Sequence, residues 1–244
     1  MIRIALFICI TFFTNIITAQ IFDKKPKCSK EIFLLSDLDT ISNKTKEYKA
    51  LKCVSRKNLG VRLGIGVSGY QYDDKTKSVI GNHGGPNFNL SIAYDKLNIG
   101  ARFKPWTFNP KQELEVENKT LPETAKVNII KLDYYAGYSI DLKKLYSIEP
   151  YLGYNSSLLK VINEDELGET FAFEKRAGGF LFGSTFNKYF EFQDFSYIAA
   201  FIDIGYATTD LSKIHPELGK GYFEFSVGIA VKGFAKKQNY KKIN

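Results

Sequence analysis

With 244 residues and a formal charge of +8, the chain is long enough for one all-β domain of ordinary size. The positive excess is spread along the sequence apart from the tail "KKQNYKK", which reads as a solvated end. No basic stripe is interleaved with aromatics, so nucleic acid is not an expected partner. After residue 19 no stretch matches a transmembrane helix, which needs about 20 apolar residues.

The chain opens "MIRIALFICITFFTNIITAQ": Arg3, an apolar run from Ile4 to Ile17, then Thr18-Ala19 before Gln20. This is the pattern of a cleaved secretory signal, residues 1–19. A lipoprotein reading fails because Leu6-Phe7-Ile8 ahead of Cys9 lacks the small residues it needs. Export leaves Cys28 and Cys53, an even pair in an oxidising compartment, which predicts a disulfide closing a loop of about 25 residues. The spacing fits no zinc motif. Residues 20–58 read as a polar periplasmic lead, with helix the reading for "SKEIFLLSDLDTI".

Eight alternating segments follow, and period-two alternation over about ten residues predicts strands. In "LGVRLGIGVSGYQY", Val61, Leu63, Ile65 and Val67 oppose Arg62, Gly64, Gly66 and Ser68. "NFNLSIAYD" and "LNIGARFK" set Phe88, Leu90, Ile92 and Tyr94, then Leu97, Ile99, Ala101 and Phe103, against Asn, Ser, Asp95, Arg102 and Lys104. "IIKLDYYAGYSI" opposes Leu132 and Tyr134 to Lys131 and Asp133, and "YSIEPYLGYNSSL" opposes Ile148 and Leu152 to Glu149 and Gly153. "GFLFGSTFNKYF" and "YIAAFIDIGYA" are looser, with Phe180, Phe182 and Phe186, then Ile198, Ile202 and Ile204, as apolar faces and Asp203 opposite. "YFEFSVGIAVKGF" closes the series, with Phe223, Phe225, Val227, Ile229 and Val231 against Glu224, Ser226 and Lys232.

The connections alternate long and short. Long ones cover 73–86, 105–126, 162–176 and 208–220; short ones cover 95–96, 141–145 and 191–194. Long loops at one end of an up-and-down sheet and tight turns at the other are the asymmetry of an outer-membrane barrel. The apolar faces carry no central Asp, Glu, Lys or Arg, as contact with lipid requires. The opposite faces carry five cations and five anions, which suits a narrow lumen filled by paired ions. Oil outside and ions within is therefore the predicted arrangement, with Arg62, Arg102, Lys131, Asp133, Glu149, Asp203, Glu224 and Lys232 as a luminal polar network. Tyr94, Trp106, Phe108, Tyr146, Phe190, Phe195 and Tyr222 near strand ends predict a membrane–water belt. Pro150 runs against the scheme, since a closed barrel has no edge to hold a proline.

The signal peptide, "VRLGIGVSGY", "EPYLGYN" and a last strand ending Gly-x-x-x-x-Gly-Phe resemble small eight-stranded outer-membrane β-barrel proteins of Gram-negative bacteria, of the porin-like or surface-antigen type. The resemblance covers 59–234. It implies an all-β, antiparallel up-and-down transmembrane barrel in the outer membrane, with both chain ends periplasmic. Outer-membrane lipid, lipopolysaccharide and the barrel-insertion machinery would be its partners. In that family a terminal aromatic residue is read by the insertion machinery; here Phe234 is followed by a basic tail, 235–244. The domains expected are thus 1–19, 20–58, 59–234 and 235–244.

His83 in "GNHGGP" and His215 in "KIHPELG" lie in different long loops, without a G-x-S-x-G nucleophile motif. "GNHGGP" lacks the Lys and Ser/Thr of a phosphate loop and reads as a flexible turn. Asn43, Asn118 and Asn155 begin glycosylation triplets, and "EDELGE" (164–169) reads as a solvated acidic loop. No catalytic residue, metal site or cofactor is assigned. The function expected is structural or surface interaction through four long loops, against two alternatives: a lipid-modifying enzyme and a soluble ligand-binding barrel.

Overall fold

The computed structural model describes residues 25–39, 44–116, 119–123, 125–142, 145–164 and 170–243. The expected signal peptide, the acidic run 165–169, Asn43 and Asn118 lie outside them. Among the described residues twelve strands are formed: β1 (Lys27–Asp39), β2 (Lys44–Tyr72), β3 (His83–Tyr94), β4 (Leu97–Phe108), β5 (Leu114–Val116), β6 (Lys119–Leu121), β7 (Val127–Tyr138), β8 (Ile140–Asp141), β9 (Tyr146–Glu164), β10 (Thr170–Gln193), β11 (Ser196–Asp210) and β12 (Lys220–Lys242). One short helix, α1 (Asp74–Ile80), follows β2.

Eight of these strands close a ring in the order β2–β12–β11–β10–β9–β7–β4–β3 and back to β2. Every pairing is antiparallel. The expected all-β up-and-down barrel is borne out, and its two faces are sorted as the alternation requires. Ile65, Leu90, Ile99, Leu152, Phe180, Ile202, Val227 and Ile229 stand on the exposed outer wall, while Arg62, Arg102, Lys104, Asp133, Glu149, Asp203, Glu224 and Lys232 are buried within. Side chains two residues apart share a face, so one register error would have inverted the whole pattern.

The interior has three storeys. At the long-loop end an apolar and aromatic layer of Tyr70, Tyr72, Trp106, Phe108 and Tyr222 is roofed by Val79 and Ile80 of α1 and by Leu211, Ile214 and Leu218. The middle storey is polar and charged. At the short-turn end Tyr189, Phe195, Tyr197, Phe201 and Phe234 make a second apolar layer, with Val54 and Leu145 packed on it.

Several expectations change at this level. The segment read as a helix is strand β1. Lys27–Asp39 pairs with β2 over Lys44–Val54, and an antiparallel partner decides what an ambiguous apolar run cannot. β2 runs unbroken from Lys44 to Tyr72, so one strand serves both lead and barrel, and its pairing with β3 begins at Leu59. The tail after Phe234 is not a loose end either, because Lys236–Lys242 pair with Arg56–Ala50 of β2. β1, lower β2 and lower β12 thus form a three-stranded sheet, here called the apron, which continues the barrel wall past the short turns.

The loops are also more ordered than the sequence suggests. "GNHGGP" is not a flexible turn: Gly81 ends α1 at φ 74°, and His83 begins β3. The third long connection is mostly a hairpin, with Thr170 to Ala177 of β10 paired to Glu164 to Ser157 of β9. Pro150 finds its place where a ladder breaks. Pairing of β7 to β9 stops at Gly137↔Tyr151 and β8 resumes it at Ile140↔Ile148. Between them the Ser139 N–H donates instead to the Lys96 carbonyl at 2.7 Å. A second break lies between β3 and β4, whose pairing runs only from Tyr94↔Leu97 to Phe88↔Phe103. Continuing that register sets Pro86 opposite Pro105, two residues without an N–H to share.

Candidate functional site: the luminal charge network

The middle storey is tied across the barrel by side chains from strands that are not neighbours. Arg102 on β4 reaches Asp203 on β11, four strands away around the ring, and donates through both terminal nitrogens at 2.8 and 3.1 Å. Asp203 also accepts from the Tyr151 hydroxyl at 2.9 Å and from Thr185. The Arg102 guanidinium packs into a slot beside the rings of Tyr135 and Tyr151, 4.5 and 4.3 Å from their centroids, the rings themselves being 5.6 Å apart. A planar, weakly hydrated cation suits that slot, and its fork matches the carboxylate. Tyr151 reaches Asp203 only because two wall positions lack a side chain: a Cβ at Gly183 or Gly205 would come within 2.5 Å of its hydroxyl.

One turn toward the long-loop end, Lys104 is paired with both Asp133 and Glu224, and all three side chains are fully enclosed. Asn155 donates to Asp133, while its own carbonyl accepts from Ser157 at 3.0 Å and Thr209 at 2.8 Å. Above this cluster the Lys131 ammonium donates to the Tyr72 hydroxyl at 2.8 Å. It sits 3.5 Å from the Tyr70 ring centroid and 3.6 Å from that of Tyr222. Toward the short turns, Arg62 on β2 crosses to Asn187 on β10 at 2.9 Å and faces the Phe201 ring at 5.2 Å. Lys232 lies near the Tyr189 and Phe234 rings, at 5.7 and 5.5 Å.

Arg62, Arg102, Lys131, Asp133, Glu149, Asp203, Glu224 and Lys232 are all buried, but they do not form one cluster. Arg102 and Asp203 form one unit, Asp133 and Glu224 meet through Lys104, and Lys131 belongs to the aromatic layer. Glu149 is buried beside Gly137 of the neighbouring strand. Lys104 holds the second unit together and carries the same parity as Arg102. Asp95, counted among the inner charges, is instead a turn residue at φ 55°, bonded at 3.2 Å to Arg56. Cys28 and Cys53 are joined as a disulfide between β1 and β2. Asn155 points into the sealed lumen, so its triplet offers no acceptor for a glycan.

The aromatic belt needs correction. Tyr94, Tyr146 and Phe190 are on the outer wall, but Trp106, Phe108, Phe195 and Tyr222 are buried in the two closing layers. Trp106 shares parity with Arg102 and Lys104, and Tyr222 with Glu224, so alternation itself marks them as inward. Tyr70, Tyr72, Tyr135 and Tyr151 are further inner residues readable from the same parity.

Neither histidine meets a nucleophile. His83 stacks on Tyr72 and Phe108 with ring centroids 5.2 Å apart in each case, and its Nδ1 lies 3.0 Å from the Gly81 carbonyl. His215 Nε2 bonds the Glu115 carbonyl at 2.8 Å, tying β5 to the connection after β11. The same cap is fastened by the Gly219 N–H donating to Thr76 and Lys75 donating to the Pro216 carbonyl, both at 2.8 Å. Asp73 caps α1 by accepting from the Thr76 N–H at 3.0 Å. Among the described residues no group of His, Cys, Asp and Glu is arranged to hold a metal ion.

An apolar outer wall around a charged, filled interior defines the class: a small eight-stranded transmembrane β-barrel of the outer-membrane type. No family's sequence profile and no curated protein matches the chain. Among solved structures it is similar to Neisserial surface protein A, at 11% identity and TM-score 0.41 over 74% of this chain and 97% of that one. It is also similar to Ail, the attachment invasion locus protein of Yersinia pestis, at 13% and 0.41 over 72% and 99%. The outer membrane protein OprG from Pseudomonas aeruginosa gives 11% and 0.43 over 74% and 98%.

Proposed function

We propose that this chain is a sealed outer-membrane anchor that works by presenting surfaces on either side of the bilayer. In this reading it neither passes solutes nor performs chemistry. The loops β2–β3, β4–β7 and β11–β12 face outward, and both chain ends face the periplasm. One observation carries the reading. The middle of the lumen is occupied by the ion pairs Arg102–Asp203 and Lys104–Asp133–Glu224, and an apolar layer fills it at either end. A barrel of eight strands has just enough room for side chains, whereas aqueous channels use about 16–18 strands.

Purified protein reconstituted in planar bilayers is expected to show no sustained conductance above baseline. Steps typical of a general porin would overturn the reading. The lipid-modifying alternative is tested by incubating the folded barrel with lipopolysaccharide and analysing the acyl chains by mass spectrometry; altered chains would replace the anchor with an enzyme.

A further inference from the structure

Sequence position conceals where the net charge of this molecule lies. Over β1, residues 44–58 of β2 and residues 235–242 of β12 there are twelve Lys and Arg against four Asp and Glu. The apron therefore carries a formal +8, equal to that of the entire chain. The basic residues come from distant parts of the sequence, and only pairing of β2 with β12 sets them side by side.

The apron has two outer edges, and they differ. The β1 edge carries Glu31, Asp37 and Asp39 with Lys27 and Lys30, and its Ile32 and Leu34 are exposed. The β12 edge, Ala235–Lys242, is exposed at every side chain and holds Lys236, Lys237, Lys241 and Lys242 with no acid. Among the described residues β2 alone pairs with this stretch, because β11 ends opposite Gly233. From Lys236 to Lys241 no second strand of the described residues lies along its outward side, and such an edge is the template for adding a strand. Lysines on such an edge repel another basic edge, and two copies of this chain would bring +8 against +8.

We infer that the β12 edge of the apron is a docking site for an extended acidic polypeptide segment, added as an antiparallel strand beside Lys236–Lys242. The lysines come as two adjacent pairs around Gln238-Asn239-Tyr240. Successive residues face opposite sides of the sheet, so each pair places one ammonium on either face. The complementary segment has two adjacent acids, three neutral strand-forming residues and two more acids. Cross-strand ion pairs on both faces then reinforce the backbone bonds. The site lies two to eight residues beyond Phe234 along a strand rising about 3.3 Å per residue, so most of it stands more than a Debye length of about 8 Å from the barrel end. Bilayer headgroups are accordingly the poorer partner. This inference is independent of the role proposed for the outer loops.

The test uses the full chain in neutral lipid nanodiscs and a fluorescein-labelled peptide, TDDVTVDDT, read by anisotropy. Saturable binding is expected, weakened by added salt. Lys237, Asn239, Lys241 and Ile243 bond toward β2, so the outward groups belong to Lys236, Gln238, Tyr240 and Lys242. The same peptide with proline in place of either valine, the residues opposite Gln238 and Tyr240, should bind at least about tenfold more weakly, since proline there removes a ladder donor and leaves the charge unchanged. The combined variant Lys236→Glu, Lys237→Glu, Lys241→Glu and Lys242→Glu should lose binding while keeping its heat-modifiable gel mobility; the matching Lys→Gln variant should retain a residual, salt-insensitive part. Equal affinity for the proline peptide would overturn strand addition. Undiminished binding by the charge-reversed protein would overturn the location. Preferential capture by phosphatidylglycerol-rich vesicles, with the peptide failing to compete, would make the surface a lipid-headgroup site instead.

Discussion

Asp203 accepts from Arg102, Tyr151 and Thr185 in a space closed to water, so nothing can replace it when it is removed. Asp203→Ala strands a buried guanidinium and is expected to cost about 3–5 kcal/mol, seen as a lower urea midpoint for loss of the folded gel band. Replacing both partners, Arg102→Met with Asp203→Leu, should recover most of that loss, because an apolar pair of similar volume needs no compensation. A double variant as unstable as Asp203→Ala would mean that the Tyr151 and Thr185 hydroxyls, left without their acceptor, set the cost rather than the stranded guanidinium. Which residues point inward was legible from parity alone. Which of them meet was not, because Arg102 and Asp203 are 101 positions apart and join only across the closed ring. Trp106 and Tyr222 show the converse failure: an expectation about belts overrode the alternation that placed them inside.

At the scale of the strand, alternation along β12 makes adjacent residues respond in opposite ways. Val227 faces lipid and Ser226 bonds Ser68 across the inner face at 2.7 Å. Val227→Arg is expected to cost about 2–4 kcal/mol at mid-bilayer depth, measured by the same urea titration. A neutral outcome would contradict the assignment of the outer wall. The apron obeys different rules because water surrounds it. Lys27 docks its base by bonding Glu191 at 2.7 Å and lying 5.3 Å from the Phe195 ring, and the Cys28–Cys53 bridge fastens β1 to β2 across a separation of 25 residues. Replacing both cysteines by serine should release about 3 kcal/mol of local constraint. The expected readout is rapid protease cleavage within β1 with the barrel band intact; if the whole barrel is digested, the two parts fold as one unit. β1 reads as a helix from the sequence because its apolar residues fit either period, and its partner lies beyond a connection the sequence does not mark.

For the molecule as a whole, the eight strands of the ring and the inside–outside sorting are readable from the sequence, because lipid and a narrow lumen each admit few residue types. The apron and the polarity of the charge distribution are not. A lysine-rich tail and a lysine-rich lead look like two solvated ends until antiparallel pairing makes them one surface. The long-loop end teaches the same lesson, since α1, the β5–β6 hairpin and the connection after β11 are laced by His215, Thr76 and Lys75 into a lid.

The facing prolines of β3 and β4 set where this cylinder is least cohesive. The β2–β12 seam is bonded from Tyr72 down through the apron, whereas the β3–β4 joint loses its rungs above Phe88 and Phe103 and is closed there by Trp106 lying against Gly85. Thermal breathing of the wall therefore begins at that joint, on the half nearer the lid. Slowly exchanging amides along the seam beside fast-exchanging ones flanking Pro86 and Pro105 would be its trace in deuterium uptake.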